Sequence, residues 1–469
     1  MLASLFVPPA VVGSVSAILS FESLVVNVFS LGVPIGMRRF IGASWGRHEP
    51  DKIARYFSTS IAFTAAINIP AFIVILAASI LDISVLNLGH LEFFSIAILM
   101  ALDFWPSIFA SLFIAILKTR VTTVSNTMSS VIKILVGVTL LQMGFGLAGI
   151  IISMIAASLT RGIILVLSTK KLSREVGFSL YRSVNIRSVN EILRAGVASW
   201  IPNTLMVLGQ AFGVLLIYGY VGGEQTGLYY IAFALSAVAY NLPNSIQSLM
   251  FPVLSGMGDG RKEAINDAIR LSLAAVAPIA LAMIIYPQVP FLLLPPSYAD
   301  AAGCFSILMI GLLVVPVVGG YSSYIYAFGR YLHVTLIDTV STLVRLFSYF
   351  LLVLPFGALG AASAYVLGIG ASILPAIISA HYLGFSLEVR RYAKTLLPPS
   401  MSAALAILLN MPWTIGIIFL VVTSVFAYTR TKVITRSDLR QMALAFLSPE
   451  SVDRIHTHAK RIVTVLFGD

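Results

Sequence analysis

Six ionised residues stand inside long apolar runs of this 469-residue chain: Glu22, Asp103, Lys133, Arg161, Asp338 and Arg345. A charge at the centre of a bilayer costs roughly 2.5–3.5 kcal/mol on insertion scales, so such residues face protein or a wet cavity. Their surroundings are ordered. Asn126, Ser129, Ser130 and Lys133 follow an i, i+3, i+4, i+7 spacing, which sets them on one helix face. Asp338, Ser341, Thr342 and Arg345 repeat that stripe. The cations Lys133, Arg161 and Arg345 suit an anion, because guanidinium matches a phosphate as a fork and ammonium acts as a point charge. Glu22 and Asp103 suit a proton- or sodium-linked site, since a buried carboxylate can cycle between charge states. Tyr240, Asn241, Asn244 and Gln247 offer neutral hydrogen-bonding groups for hydroxyls, with Gln210 a weaker candidate.

Each of these has a plainer reading. Asp338 and Arg345 are too far apart along one helix to pair with each other, at about 10 Å of rise, but each could pair with another helix. Glu22 could pair with Lys133 or Arg161. Arg161 lies near one end of its run and could snorkel to the interface. Asn241-Leu242-Pro243 could cap a kink. Tyr321, Tyr324 and Tyr326 read as packing aromatics.

The elements that carry these residues are membrane-spanning helices. The chain is 58% hydrophobic and 10% charged, far below the roughly 25% charge of soluble domains. Runs of about 20 apolar residues recur, each long enough to cross roughly 30 Å of hydrocarbon as a helix. Thirteen spans are expected, at 9–37, 55–80, 92–117, 121–142, 146–169, 195–220, 226–253, 268–294, 301–328, 332–354, 357–382, 395–411 and 413–429. No ten-residue alternation of the barrel kind appears.

Charge fixes the expected orientation. All but three of the 30 Lys and Arg residues fall in alternate connections and the C-terminal tail; the exceptions are Lys133, Arg161 and Arg345. The positive-inside rule then makes that side, and the C-terminus, cytoplasmic. The net charge of +11 needs no nucleic acid. The tail after Thr429 reads as soluble, with Ser448-Pro449-Glu450 opening a helix and basic helices resting on membrane lipids. His456 and His458, two apart, are poorly placed to share a metal.

An internal repeat sets the domain plan. Asn126-Thr127-Met128-Ser129-Ser130-Val131-Ile132-Lys133-Ile134 recurs as Asp338-Thr339-Val340-Ser341-Thr342-Leu343-Val344-Arg345-Leu346. Each is followed by a short turn, Phe145-Gly146-Leu147-Ala148-Gly149 and Phe356-Gly357-Ala358-Leu359-Gly360. The repeat unit is six helices, so orientation is preserved. The expected fold is an all-α integral membrane protein of two parallel six-helix bundles plus two C-terminal helices, the first bundle one helix short. The expected division is an N-terminal bundle at 1–170, a cytoplasmic linker at 171–194, a C-terminal bundle at 195–382, two further helices at 383–429 and a tail at 430–469. Span parity and the repeat both point to a helix missing ahead of residue 1.

This plan resembles the polysaccharide-transport branch of the multidrug/oligosaccharidyl-lipid/polysaccharide exporter superfamily. The resemblance rests on topology and on Leu31-Gly32-Val33-Pro34 running into Arg38-Arg39-Phe40-Ile41. It rests also on Gly227-Leu228-Tyr229-Tyr230 and Leu249-Met250-Phe251-Pro252-Val253-Leu254-Ser255. It implies a cell-membrane flippase of O-antigen type, moving a polyprenyl-linked oligosaccharide from the inner to the outer leaflet. Lys133, Arg161 and Arg345 would hold the carrier's pyrophosphate, with Asn126, Asp338, Asn241, Asn244 and Gln247 as further contacts. The two polar stripes would wall a shared central cavity. Glu22 and Asp103 would couple H+ or Na+, with no other cofactor, and glycosyltransferases of the same pathway would be partners.

Two other classes are weighed. A cation-coupled multidrug exporter of the same superfamily would want an acidic, aromatic cavity, whereas the intramembrane charges here are three basic and three acidic. A membrane glycosyltransferase or polymerase needs a catalytic acid or base on a sizeable outer loop. The outer turns here, such as Met143-Gly144-Phe145 and Asn410-Met411-Pro412, are short, so an enzyme is not expected. The single cysteine, Cys304, excludes an intrachain disulfide.

Overall fold

A computed structural model describes residues 2–177, 179, 184–257, 260–385 and 388–435. The expected Ser448-Pro449-Glu450 helix start and the His456/His458 pair lie outside the described residues. The protein is all-helical, with no strand among the described residues. In chain order the helices are α1 (Pro9–Ser30), α2 (Val33–Gly46), α3 (Pro50–Ile80), α4 (His90–Ala115), α5 (Thr119–Gln142), α6 (Gly146–Val176) and α7 (Ile186–Tyr220). They continue as α8 (Gly223–Gly256), α9 (Arg261–Ile285), α10 (Ala301–Leu312), α11 (Val315–Ala327) and α12 (Tyr331–Ala371). The series ends with α13 (Ile373–Tyr382), α14 (Val389–Leu408) and α15 (Trp413–Arg430). Among the described residues, ten helical stretches are long and apolar enough to cross a bilayer. This is a multi-pass membrane protein.

Several spans break where the sequence reads one element. The span at 9–37 is two helices, because Leu31 (φ 44°) and Gly32 (φ 72°) are both left-handed and a right-handed helix cannot pass through them. Pro34, in the first turn of α2, supplies no N–H to a preceding helix. The span at 301–328 likewise divides into α10 and α11 at Leu313-Val314, just ahead of Pro316. The turns of the repeat are where the sequence puts them. Gly144 (φ 85°) and Gly146 (φ 49°) separate α5 from α6, and Gly357 (φ 55°, ψ −128°) breaks α12 after Pro355. Gln225 Oε1 accepts from the Ala358 N–H at 3.3 Å, capping the helix that resumes there.

The chain forms two compact units. One takes residues up to Ile231 together with Arg345–Ala361; the other takes Ala232–Val344 and the chain from Ala362. The packing boundary therefore differs from the bundle boundary expected at 195, since α7 packs within the first unit against α1, α2 and α3.

The reason is backbone contact. An ideal Cβ on Gly196 would sit 2.2 Å from the Gly32 carbonyl oxygen, and one on Gly32 would sit 2.6 Å from that of Gly196. Small residues of this kind let membrane helices approach backbone to backbone. Beside the contact, Trp200 Nε1 donates to the Asn27 carbonyl at 2.8 Å and Asn203 Nδ2 to Asn27 Oδ1 at 2.6 Å. Ser30 Oγ also donates to the Asn27 carbonyl at 2.8 Å. The end of α1 is thus satisfied by α7 where the helix break would strand a carbonyl.

A Gly196→Leu substitution should overpack this crossing at a cost of roughly 1–3 kcal/mol or more. It should lower the thermal midpoint of the detergent-purified protein, while Leu208→Ala on the same helix should have a smaller effect. An unchanged midpoint for Gly196→Leu would mean that α7 does not lie on Gly32.

Candidate functional site

Within the first unit, four helices bring one ionised side chain each to a common region: Glu22 from α1, Asp103 from α4, Lys133 from α5 and Arg161 from α6. Asp103 is the hub. It accepts a hydrogen bond from the Ser158 hydroxyl, and both Arg161 and Lys133 act on it electrostatically. The charged neighbour of Glu22 is Asp103 rather than either cation, so the alternative pairing of Glu22 with Lys133 or Arg161 is not what this arrangement presents. Glu22 is only 8% exposed, and Asp103 is half-buried.

The cations are held near Asp103 but not bonded to it. Among the described residues no carboxylate lies within 4.0 Å of Lys133 or Arg161, and Arg161 Nε is buried without a hydrogen-bond partner. Lys133 instead lines a cavity of about 440 Å³ with Ser130, Ser153 and Tyr230, against an apolar wall that includes Val15 and Leu19 of α1. Its register there comes from the α5–α6 hairpin. Ser129 Oγ donates to the Ala157 carbonyl at 2.9 Å, and Gly137 leaves room for Ser153, 3.3 Å from where a Cβ would stand. Such a chamber offers an ammonium that touches no carboxylate among the described residues, hydroxyls and a partly apolar lining, which together can take an anionic group attached to something less polar.

The remaining sequence candidates fall elsewhere. Asn126 is exposed on α5, and Arg345 is buried in α12 at 7% exposure. In the second unit Asp338 is half-buried near Tyr326. Asn241 and Asn244 are exposed on α8. The Gln247 amide donates to the carbonyls of Val315 and Pro316 at 3.2 and 3.1 Å, so its donors are engaged by α11. Tyr240, beside them, is buried and donates to the Leu308 carbonyl at 2.7 Å. Tyr321 and Tyr324 are each 1% exposed, in keeping with packing aromatics.

Two serine hydroxyls, those of Ser158 and Ser111, escape a search for charge. Ser158 completes the Asp103 hub, and its sign in the sequence is its i, i+3 spacing from Arg161 on one helix. Arg38 Nε donates to Ser111 Oγ at 3.1 Å, tying α2 to α4 through a hydroxyl that hydropathy does not register.

A sequence model described as "Polysaccharide biosynthesis protein" matches residues 13–294. The chain belongs to this family. Comparison with curated proteins finds no match. Among solved structures, this chain is similar to a lipid II flippase, MurJ, in an inward closed conformation, with a TM-score of 0.69 at 13% identity over 90% of this chain and 96% of that one. It is also similar to an inward-facing multidrug resistance MATE family transporter of the MOP superfamily, with a TM-score of 0.65 at 15% identity over 81% and 92%. An outward-facing transporter of that description gives 0.53 at 16% identity over 79% and 88%. The chain therefore shares the fold of this lipid II flippase and of MATE transporters, in line with the all-helical architecture expected from the sequence.

The cavity around Lys133 can be probed by chemistry. Cys304, the one cysteine, is 1% exposed and leaves a nearly silent background. A Lys133→Cys variant in membranes should react with a small water-soluble thiosulfonate at least tenfold faster than the parent chain. A rate no higher than the parent's would mean that position 133 meets protein or lipid rather than water.

Proposed function

We propose that this protein is a flippase that carries a polyprenyl-(pyro)phosphate-linked oligosaccharide across the cytoplasmic membrane by alternating access, for surface polysaccharide or glycoprotein glycan assembly. Family membership and a fold shared with a lipid II flippase support the reading. The observation that carries it is Lys133: an intramembrane cation with no carboxylate in contact among the described residues, opening on a cavity of about 440 Å³. In this reading Lys133 and Arg161 attract the carrier's phosphates, as does Arg345. Asn126, Asp338, Asn241, Asn244 and Gln247 serve as further contacts to the travelling headgroup. The protein works as a transporter rather than an enzyme, with its C-terminus in the cytoplasm and glycosyltransferases of the pathway supplying its cargo.

Glu22 and Asp103 form the coupling site for H+ or Na+. Their mutual proximity also favours a second reading, a cation-coupled multidrug exporter, for which the fold likeness to MATE transporters is further support.

Transport in reconstituted vesicles separates the two. For the flippase, Lys133→Ala should slow translocation of a short-chain lipid-linked oligosaccharide by about 10–100-fold, the loss of one charge-assisted contact worth roughly 1.5–3 kcal/mol. Lys133→Arg should retain most of the rate. Native translocation by the alanine variant would remove the reading. A drug exporter would instead drive an organic cation along an imposed ion gradient, indifferent to Lys133→Ala.

The coupling site has its own test. Glu22→Gln should make oligosaccharide translocation insensitive to an imposed proton or sodium gradient. Undiminished gradient dependence would clear Glu22 of that role.

A further inference from the structure

A second basic chamber lies at the ends of the helices, sharing no residue with the Lys133 cavity. It has a volume of about 580 Å³ and is formed by α2, the start of α3 and the start of α7. Five cations line it, Arg39, Arg47, Lys52, Arg55 and Arg187, against two carboxylates, Glu49 and Glu191. Both carboxylates are already engaged. Glu49 Oε1 takes Lys52 Nζ at 2.8 Å. Glu191 takes Arg187 Nε at 3.3 Å and the Tyr56 hydroxyl at 2.8 Å.

Three arginines are left over. Among the described residues no carboxylate comes within 4.0 Å of Arg39, Arg47 or Arg55. Arg55 stands 5.5 Å from the centre of the Tyr56 ring, shares a hydrogen bond with that side chain, and still keeps Nε buried without a partner. Like charges gathered in one concave space repel, and the repulsion is relieved by an anion.

We propose that this chamber binds a phosphate group carrying two or more negative charges, a phosphomonoester or a diphosphate. A phosphodiester, with one charge, would leave two of the three guanidiniums uncompensated. Each arginine offers a planar fork of donors that fits phosphate oxygens. The volume leaves room for whatever the phosphate is attached to. The positive-inside bias assigns this end of the helices to the cytoplasmic face, where basic pockets between helices meet lipid headgroups as well as soluble phosphates. The site is independent of the transport reading, and it would stand whether the cargo is a lipid-linked glycan or a drug.

The test uses the full-length protein in phosphatidylcholine nanodiscs, titrated calorimetrically with inorganic pyrophosphate. At least one pyrophosphate should bind per protein. The Arg39→Gln/Arg47→Gln double variant should raise the dissociation constant at least tenfold. The exposed pair Arg390→Gln/Lys394→Gln, which removes the same charge elsewhere, should leave it unchanged. Arg47→Gln alone, with an intermediate loss, keeps the test decisive if the double variant folds poorly. A second arm adds phosphatidic acid, a phosphomonoester lipid, to the nanodisc. If it competes with pyrophosphate in the parent protein, the natural occupant is a headgroup; if it does not, the occupant is a soluble phosphate. Pyrophosphate binding that is equal in parent and double variant overturns the proposal. So does a failure of both pyrophosphate and phosphatidic acid to bind.

Discussion

Asp103 is the constraint on which the first unit turns. A membrane helix can carry a formal charge only if something nearby answers it, and Asp103 answers for two cations that reach it from different helices. Because neither cation is in contact with it, the attraction steadies α5 and α6 against α4 without consuming the donors of Lys133 or Arg161. Ser158 takes the direct hydrogen bond instead. A contact ion pair would have been tighter but would have closed the Lys133 ammonium to the cavity. Separation keeps a cation chemically available in a place where an unanswered one would be costly.

The scaffold around that hub depends on helices meeting at backbone distance. Where α2 and α7 cross at Gly32 and Gly196, no side chain separates them, so the end of α1 is fixed by direct hydrogen bonds from Trp200 and Asn203. α1 also carries Glu22. Its position beside Asp103 therefore depends on a contact several turns away, on the far side of the helix break. Apolar packing follows the same division, with one buried cluster around Met37, Phe57 and Phe113 and another around Ile18, Ile96 and Met100.

Much of this was legible in the sequence, because hydrocarbon imposes a strong rule on composition. Helix positions and the glycine turns at Gly144 and Gly357 follow from apolar length and from an internal repeat. The intramembrane charges on α1, α4, α5 and α6 announced themselves by rarity alone. What escaped were features that hydropathy cannot weigh. The break at Leu31-Gly32 lies inside a long, mostly apolar run that hydropathy reads as one span. The allegiance of α7 to the first unit depends on glycine contacts between distant segments, which no local pattern encodes. Ser158 is neutral, and Gln247 looks in sequence like a free hydrogen-bonding group although α11 already holds its donors.

The charge balance of the hub bears on how transport would be driven in the proposed reaction. With Glu22, Asp103, Lys133 and Arg161 all ionised, the cluster is neutral. Taking up a proton or a sodium ion at the carboxylates leaves it net positive, which strengthens its hold on a phosphorylated headgroup. An arriving anion makes the cation's binding more favourable in turn, since a coupling free energy between two sites acts equally in both directions. Occupancy of the ion site and of the cargo site would then be linked by electrostatics alone. A hub with Lys133 locked against Asp103 could not do this, because each charge would already be spent on the other.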